Sequence, residues 1–187
     1  MSAYRELIIK STATGSSDVV VPVHVSAAGL TQSYTELVAQ TLYRHMDGSA
    51  AVRRAWRGKI RTEISGRGLV PHGLQALCTA TGTVTVSCIG HRSVRSASNV
   101  ITIPAARRTD SGSTWYARKW NNDVWTTASG STTTGAPNVV TITLASGETN
   151  QGYEVCYFPK LTGYPTLSEE TYTQNDGFSW ALTVEEA

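Results

Sequence analysis

Four histidines, three cysteines and fourteen carboxylates are the side chains from which a catalytic or metal site would have to be drawn. His24, His45, His72 and His91 contain no H-x-x-x-H pair, the spacing that presents two imidazoles on one helical face. The adjacent acids Glu169–Glu170 and Glu185–Glu186 fall in strand-like runs. Neighbours on a strand point to opposite faces, so neither pair converges on one substrate. There is no G-x-S-x-G elbow, and "SGRG" at 65–68 lacks the strand-to-helix setting of a phosphate loop. The expectation is no catalytic residue, no bound metal and no cofactor. Cys78, Cys88 and Cys156 read as reduced, small core residues, the last two in the strand-like runs "VTVSCI" and "YEVCYF".

Binding chemistry is better represented. Trp115, Tyr116, Trp120 and Trp125 crowd one predicted hairpin. Flat aromatic side chains on a sheet stack sugars or bases. Trp115 and Trp125 also suit core positions, the more ordinary role for such residues, and Trp120 and Trp125 are the candidates for exposure. A second feature is the basic run Arg53, Arg54, Arg57, Lys59 and Arg61, of which all but Arg54 share strand parity. It suits an inter-subunit contact with an acidic partner, or contact with phosphate.

The net charge of +2 conceals strong segregation. Residues 44–119 carry 13 Lys/Arg against three acids, a net of +10, and residues 120–187 carry one Lys against eight acids, a net of −7. Such halves can pair within the chain or between copies of it, or present the basic part to nucleic acid. Glu185 and Glu186 follow the alternating run "GFSWALTV" and are expected to reach the basic surface of a neighbouring copy.

The elements that position these groups read almost entirely as strands. Charged residues make up only 16% of the chain, against about 25% in typical domains. Segments 4–10, 18–25, 82–89, 99–105, 138–144, 152–164 and 177–185 show apolar alternation or β-branched runs. "DGS" at 47–49 is a turn signal inside a long hairpin predicted over 38–65. A second hairpin spans 113–131, with Asn121–Asn122–Asp123 at its tip. The polar stretch 127–137 reads as a flexible loop. One short helix is expected after Pro71, with Leu74 and Leu77 on one face. About nine strands and one helix make a mainly β chain, a β-sandwich or barrel-like fold, in a single domain over 1–187 or one domain with a large insertion. No run approaches the roughly 18 apolar residues of a membrane span, and no signal peptide is evident at the N-terminus.

Residues 56–77, "WRGKIRTEISGRGLVPHGLQAL", together with "YEVCYFPKLTGYPT" and the closing "GFSWALTVEEA", resemble the distal tail proteins and related tail tube proteins of long-tailed bacteriophages. The resemblance covers about 40–187 and rests on structural motifs. It implies a tail-tube-like β-sandwich with a flanking helix and a long hairpin, and no enzymatic activity. It also implies a ring of six copies that joins the tail tube to the baseplate hub or tail fibre proteins and leaves a channel for DNA. The location implied is the virion, after assembly in the host bacterial cytoplasm, without membrane insertion. A major tail tube protein is the alternative within the resemblance, and a carbohydrate-binding β-sandwich module the alternative outside it. DNA in transit should not adhere, so the 53–61 run is expected at a subunit or ring-to-ring interface rather than in the lumen.

Overall fold

Alternating apolar and β-branched residues produce a chain that is nearly all strand. In the computed structural model, residues 6–12, 19–21, 30–68, 74–79, 82–110, 115–121, 123–133, 136–144, 152–174 and 177–187 are described. Among them are fourteen strands and one six-residue helix. The strands are β1 (Leu7–Ser11), β2 (Val19–Val21), β3 (Leu30–Arg44), β4 (Ala50–Gly68), β5 (Val84–Ser87), β6 (Arg92–Ser96) and β7 (Val100–Thr102). They continue as β8 (Trp115–Asn121), β9 (Val124–Ala128), β10 (Gly130–Thr133), β11 (Ala136–Ile142), β12 (Gly152–Tyr157), β13 (Lys160–Thr173) and β14 (Gly177–Glu186). The helix α1 is Leu74–Thr79.

The chain packs as two compact units. One holds Ser87–Lys160, and the other holds Tyr4–Val86 with Leu161–Ala187, so the first interrupts the second in sequence.

In the interrupted unit the sheet order is β2-β1-β5-β13-β14-β4-β3. Its buried side chains come from alternate positions: Leu7 and Ile9, Val84 and Val86, Ile64, and Trp180, Leu182 and Val184. The helix adds Leu74 and Leu77, the two residues whose spacing puts them on one face. Each large apolar side chain removed from water contributes about 1.5–3 kcal/mol. The Trp180 indole lies against the backbone of β4 at Gly66. A Cβ there would stand 3.0 Å from Trp180 Cζ2 and 2.7 Å from Leu30 Cδ2, so a side chain at 66 would displace Leu30 and press on the indole.

The interrupting unit has two antiparallel sheets, β10-β11-β7 and β6-β12-β8-β9. Ile101, Ile103, Val140 and Ile142 from the first meet Ala117, Tyr153, Val155 and Tyr157 from the second in one core, with Trp115 packed at its margin. This is a small sandwich with one shared apolar layer. Arg107 and Arg108 are both buried in it, bonded to the Pro137 carbonyl and to the Ser87 and Cys88 carbonyls respectively.

Several expectations need correction. The described part of the stretch 127–137 is mostly strand, with β10 and β11 paired from Gly130↔Ile142 to Thr133↔Ala136. A Gly-Ser-Thr-Thr edge strand has no apolar alternation to reveal it, although Thr is β-branched and suits a sheet. The run 152–164 is two strands in different sheets, broken at Phe158 and Pro159. Strand β6, "RSVRS", was missed because Val94 is its only apolar residue. His24, Pro71, His72 and Asn122 lie outside the described residues.

Candidate functional site

The long hairpin predicted over 38–65 is present and longer, running from Leu30 to Gly68. Its root belongs to the sheet, because β4 pairs with β14 from Phe178↔Gly68 to Glu185↔Arg61. Beyond that point β4 pairs with β3 alone, down to Arg44↔Ala50. The result is a two-stranded arm about 25 Å long. Its turn is tightly made. His45 N–H donates to the Ser49 carbonyl at 2.9 Å, Asp47 Oδ1 accepts from the Ser49 backbone and hydroxyl, and Gly48 takes φ +84°. The Ser49 hydroxyl, then its N–H, hold the Asp47 carboxyl below the usual carboxylate value.

Directly opposed residues of an antiparallel pair share a face. One face of the arm therefore carries Val38, Gln40, Leu42 and Arg44 with Arg57, Arg54, Val52 and Ala50, and the other carries Leu37, Ala39, Thr41 and Tyr43 with Lys59, Trp56, Arg53 and Ala51. Leu42 is 60% exposed, Val52 52% and Trp56 49%, and Met46 at the turn is wholly exposed. An isolated ribbon of this kind is marginal in water, and its bare apolar groups and unpaired edges are those a monomer would be expected to hide.

The predicted shared parity of Arg53, Arg57, Lys59 and Arg61 does not hold. Two register shifts, between Leu37/Val38 and Ala39/Gln40, leave Gly58 and Ala55 as extra residues on β4. Gly58 has φ +92°, a conformation that favours glycine. Each extra residue reverses which face β4 presents. Arg53, Lys59 and Arg61 thus lie on one face and Arg54 and Arg57 on the other, where Arg54 Nε donates to Gln40 Oε1 at 3.3 Å.

Glu185 and Glu186 have partners inside the chain. Arg61 pairs with Glu63 at 2.8 Å and stands 3.8 Å from Glu185. Glu186 Oε2 accepts the Ile60 N–H at 2.9 Å. Ala187 N–H donates to the Thr162 carbonyl at 3.1 Å, and Lys59 Nζ donates to the Ala187 oxygen. Contact with a neighbour is not needed to order these residues.

The second feature lies on the outer face of the β6-β12-β8-β9 sheet, away from the apolar core. Register places Arg95, Glu154, Arg118 and Thr127 in one row across the four strands. Glu154 is only 1% exposed. Arg95 Nε donates to its Oε1 at 3.1 Å and Arg118 Nη2 donates to its Oε2. Burial pushes the Glu154 carboxyl up, but hydrogen bonds from Ser93, Arg95 and Arg118, with the Arg118 charge, outweigh it and hold the group below the usual value. Burial likewise weakens the Arg118 cation, and its bond to Glu154 more than restores it.

The neighbouring row is Gly152, Trp120 and Trp125. The two indoles are 5.2 Å apart, inclined at 53°. The guanidinium carbons of Arg95 and Arg118 lie 5.3 and 5.5 Å from the Trp125 ring. Arg95, Ser96, Ala97, Trp120, Trp125, Gly152 and Tyr153 line an open depression of about 540 Å³. Trp120 and Trp125, the candidates for exposure, are half-buried on this outer face, and Glu154 with its two arginines was missed. A lone acid in "GYEVCY" was the available signal.

Among the described residues no cluster of three His, Cys, Asp or Glu could hold a metal, and no helix is long and apolar enough to cross a membrane. Cys78, Cys88 and Cys156 are free thiols, Cys78 only partly buried. No family model, curated protein or solved structure matches this chain.

Proposed function

We propose that this chain is a self-assembling structural protein whose β3–β4 arm docks on another copy of itself. The observation that carries the reading is the arm, with exposed apolar residues on both faces and β3 at the margin of the sheet. Cations interleaved with Leu42, Val52, Tyr43 and Trp56 suit a protein surface, because a phosphate backbone would pair the cations and leave the apolar groups in water. Complementary groups are at hand on both faces of β13, exposed Tyr164 with Glu169 on one and exposed Tyr172 with Glu170 on the other. An arm meeting a different face of its neighbour is a heterologous contact, the kind that closes into rings.

The resemblance of 56–77, 153–166 and 177–187 to phage tail proteins gives that assembly an identity. The proposed protein is the ring of six at the distal end of a long-tailed phage's tube, joining tube to baseplate hub or tail fibre proteins and passing DNA without binding it. A major tail tube protein would use the same contacts and differ in stacking ring upon ring. Mass photometry and negative-stain imaging of the purified protein test the reading. Rings or tubes are expected, and Leu42→Asp with Val52→Asp should give a folded monomer. A wild-type chain that stays monomeric at about 10 mg/ml, well above the range of weak self-contacts, overturns it.

A further inference from the structure

The outer face of the β6-β12-β8-β9 sheet has a feature that self-assembly does not require. A carboxylate, 1% exposed, sits on the solvent side of a four-stranded sheet, beneath two arginines and a tryptophan. Burying a charge is costly unless its partners are well placed, and apolar residues would cover a sheet face at least as well. What Glu154 achieves is placement. It fixes two guanidiniums beside Trp125, and one of them, Arg95, keeps its side chain 68% exposed. Nε of Arg95 faces Glu154, so the terminal nitrogens of its fork remain to meet a ligand.

Next to this cation the surface opens rather than closes. Trp120 and Trp125 form a tilted pair of indoles, and the third residue of their row is Gly152. A side chain at 152 would occupy the depression, since a Cβ there would approach only the Ser96 carbonyl, at 3.9 Å. The site thus offers an aromatic wall, a floor without a side chain, and a fixed guanidinium at one side. At about 540 Å³ it matches a small ligand of one or two rings, not an extended polymer track.

We infer that this depression is a binding site for a carboxylated saccharide. The apolar C–H face of a pyranose covers the Trp120 indole, and its carboxylate takes the Arg95 fork in a paired hydrogen bond. A nucleobase would also stack, but a single-stranded nucleic acid needs a groove of successive cations to follow its backbone. Here Arg118 is engaged by Glu154, and Asp123 lies exposed at the nearby hairpin turn.

The inference stands whether or not the chain assembles, and its test reads binding alone. Isothermal titration calorimetry and saturation-transfer NMR of the full chain would use oligogalacturonate, a matched neutral oligogalactose and oligo-dT. Binding of oligogalacturonate is expected, at least about tenfold tighter than the neutral oligomer because only the former uses the charged fork. Trp120→Ala should abolish saturation transfer. Arg95→Lys, which keeps the charge and loses the fork, should weaken the acidic oligomer about tenfold and leave the neutral one unchanged. Both positions face solvent, and a thermal melt of each variant confirms folding. Absence of binding up to about 10 mM, equal affinity for neutral and acidic oligomers, or tighter binding of oligo-dT would each overturn the assignment.

Discussion

Glu186 takes over where a strand ends: its Oε2 accepts the Ile60 N–H at 2.9 Å, one residue past the last β14–β4 pair, Glu185↔Arg61. A carboxylate stands in for the next rung of the ladder. With Lys59 bonded to the Ala187 oxygen, it clamps the root of the arm. Glu186→Ala should lower stability by about 1 kcal/mol, since a hydrogen bond to a charged acceptor is lost from a half-exposed site. Hydrogen exchange should accelerate at Ile60 and toward the turn, while Leu182 and Ile64 remain protected. Unchanged exchange at Ile60 would show that the clamp does not hold the arm.

Gly58 governs the geometry of that arm. A Cβ at 58 meets nothing within 4 Å, yet φ is +92°. Gly58→Ala is therefore penalised by the backbone and not by crowding, at about 1 kcal/mol. The cost should appear as faster amide exchange between Val38 and Arg57, with the global denaturation midpoint unmoved within error.

Glu154 makes the sandwich unit acid-sensitive. Its folded value lies below the ordinary 4.5, so its contribution is complete above that pH and is lost as pH falls through the lower folded value. Glu154→Gln should cost about 1–2 kcal/mol at pH 7, below the figure for a wholly buried pair because both arginines stay partly exposed. The variant should also flatten the drop in urea midpoint between pH 5 and pH 3, a range that brackets carboxylate titration. An equally steep drop in the variant would assign acid sensitivity to other carboxylates.

Alkaline pH tests the same sheet from the other end. Burial first, then the neighbouring Cys156, pushes the Tyr116 hydroxyl up from 10.0 to about 12. The neutral form is favoured in the fold, so the stability it confers is complete below pH 10 and is lost as pH rises toward 12. Tyrosinate absorbance should show a late component that shrinks in Tyr116→Phe, the remainder belonging to Tyr157, whose hydroxyl burial also pushes up. Burial also pushes the Cys156 and Cys78 thiols up. A thiol reagent should therefore label partly buried Cys78 slowly, and Cys156 and Cys88 only on unfolding.

The parts of the fold legible in the sequence are those with local signals. "DGS" announced the turn at 47–49, and the alternation of Phe178, Trp180, Leu182 and Val184 announced β14. The reversal of faces within β4 was not legible. Gly58 supported a strand but also marked a bulge, and Ala55 carries no bulge signal at all. Trp120 and Trp125 could be placed on one hairpin, but the register that sets them opposite one another, with Asn121 paired to Val124, was not legible. Nor was the ion cluster beside them, since Arg95 and Arg118 lie 59 and 36 residues from Glu154 and only sheet order unites them. Residues 185–187 were assigned to a neighbour because their nearest basic partners in space are more than a hundred residues away in sequence.

The bulge at Ala55 sends Val52 and Trp56 to opposite faces of the arm, so Leu42 and Val52 lie on one side and Trp56 and Tyr43 on the other. A single flat partner can cover only one of them. If the arm docks as proposed, a pair of subunits leaves half of it in water, and the third arrival gains more than the second. Growth by such steps would have a nucleation barrier: light scattering should show a lag that shortens steeply with protein concentration, and a threshold below which the chain stays dispersed.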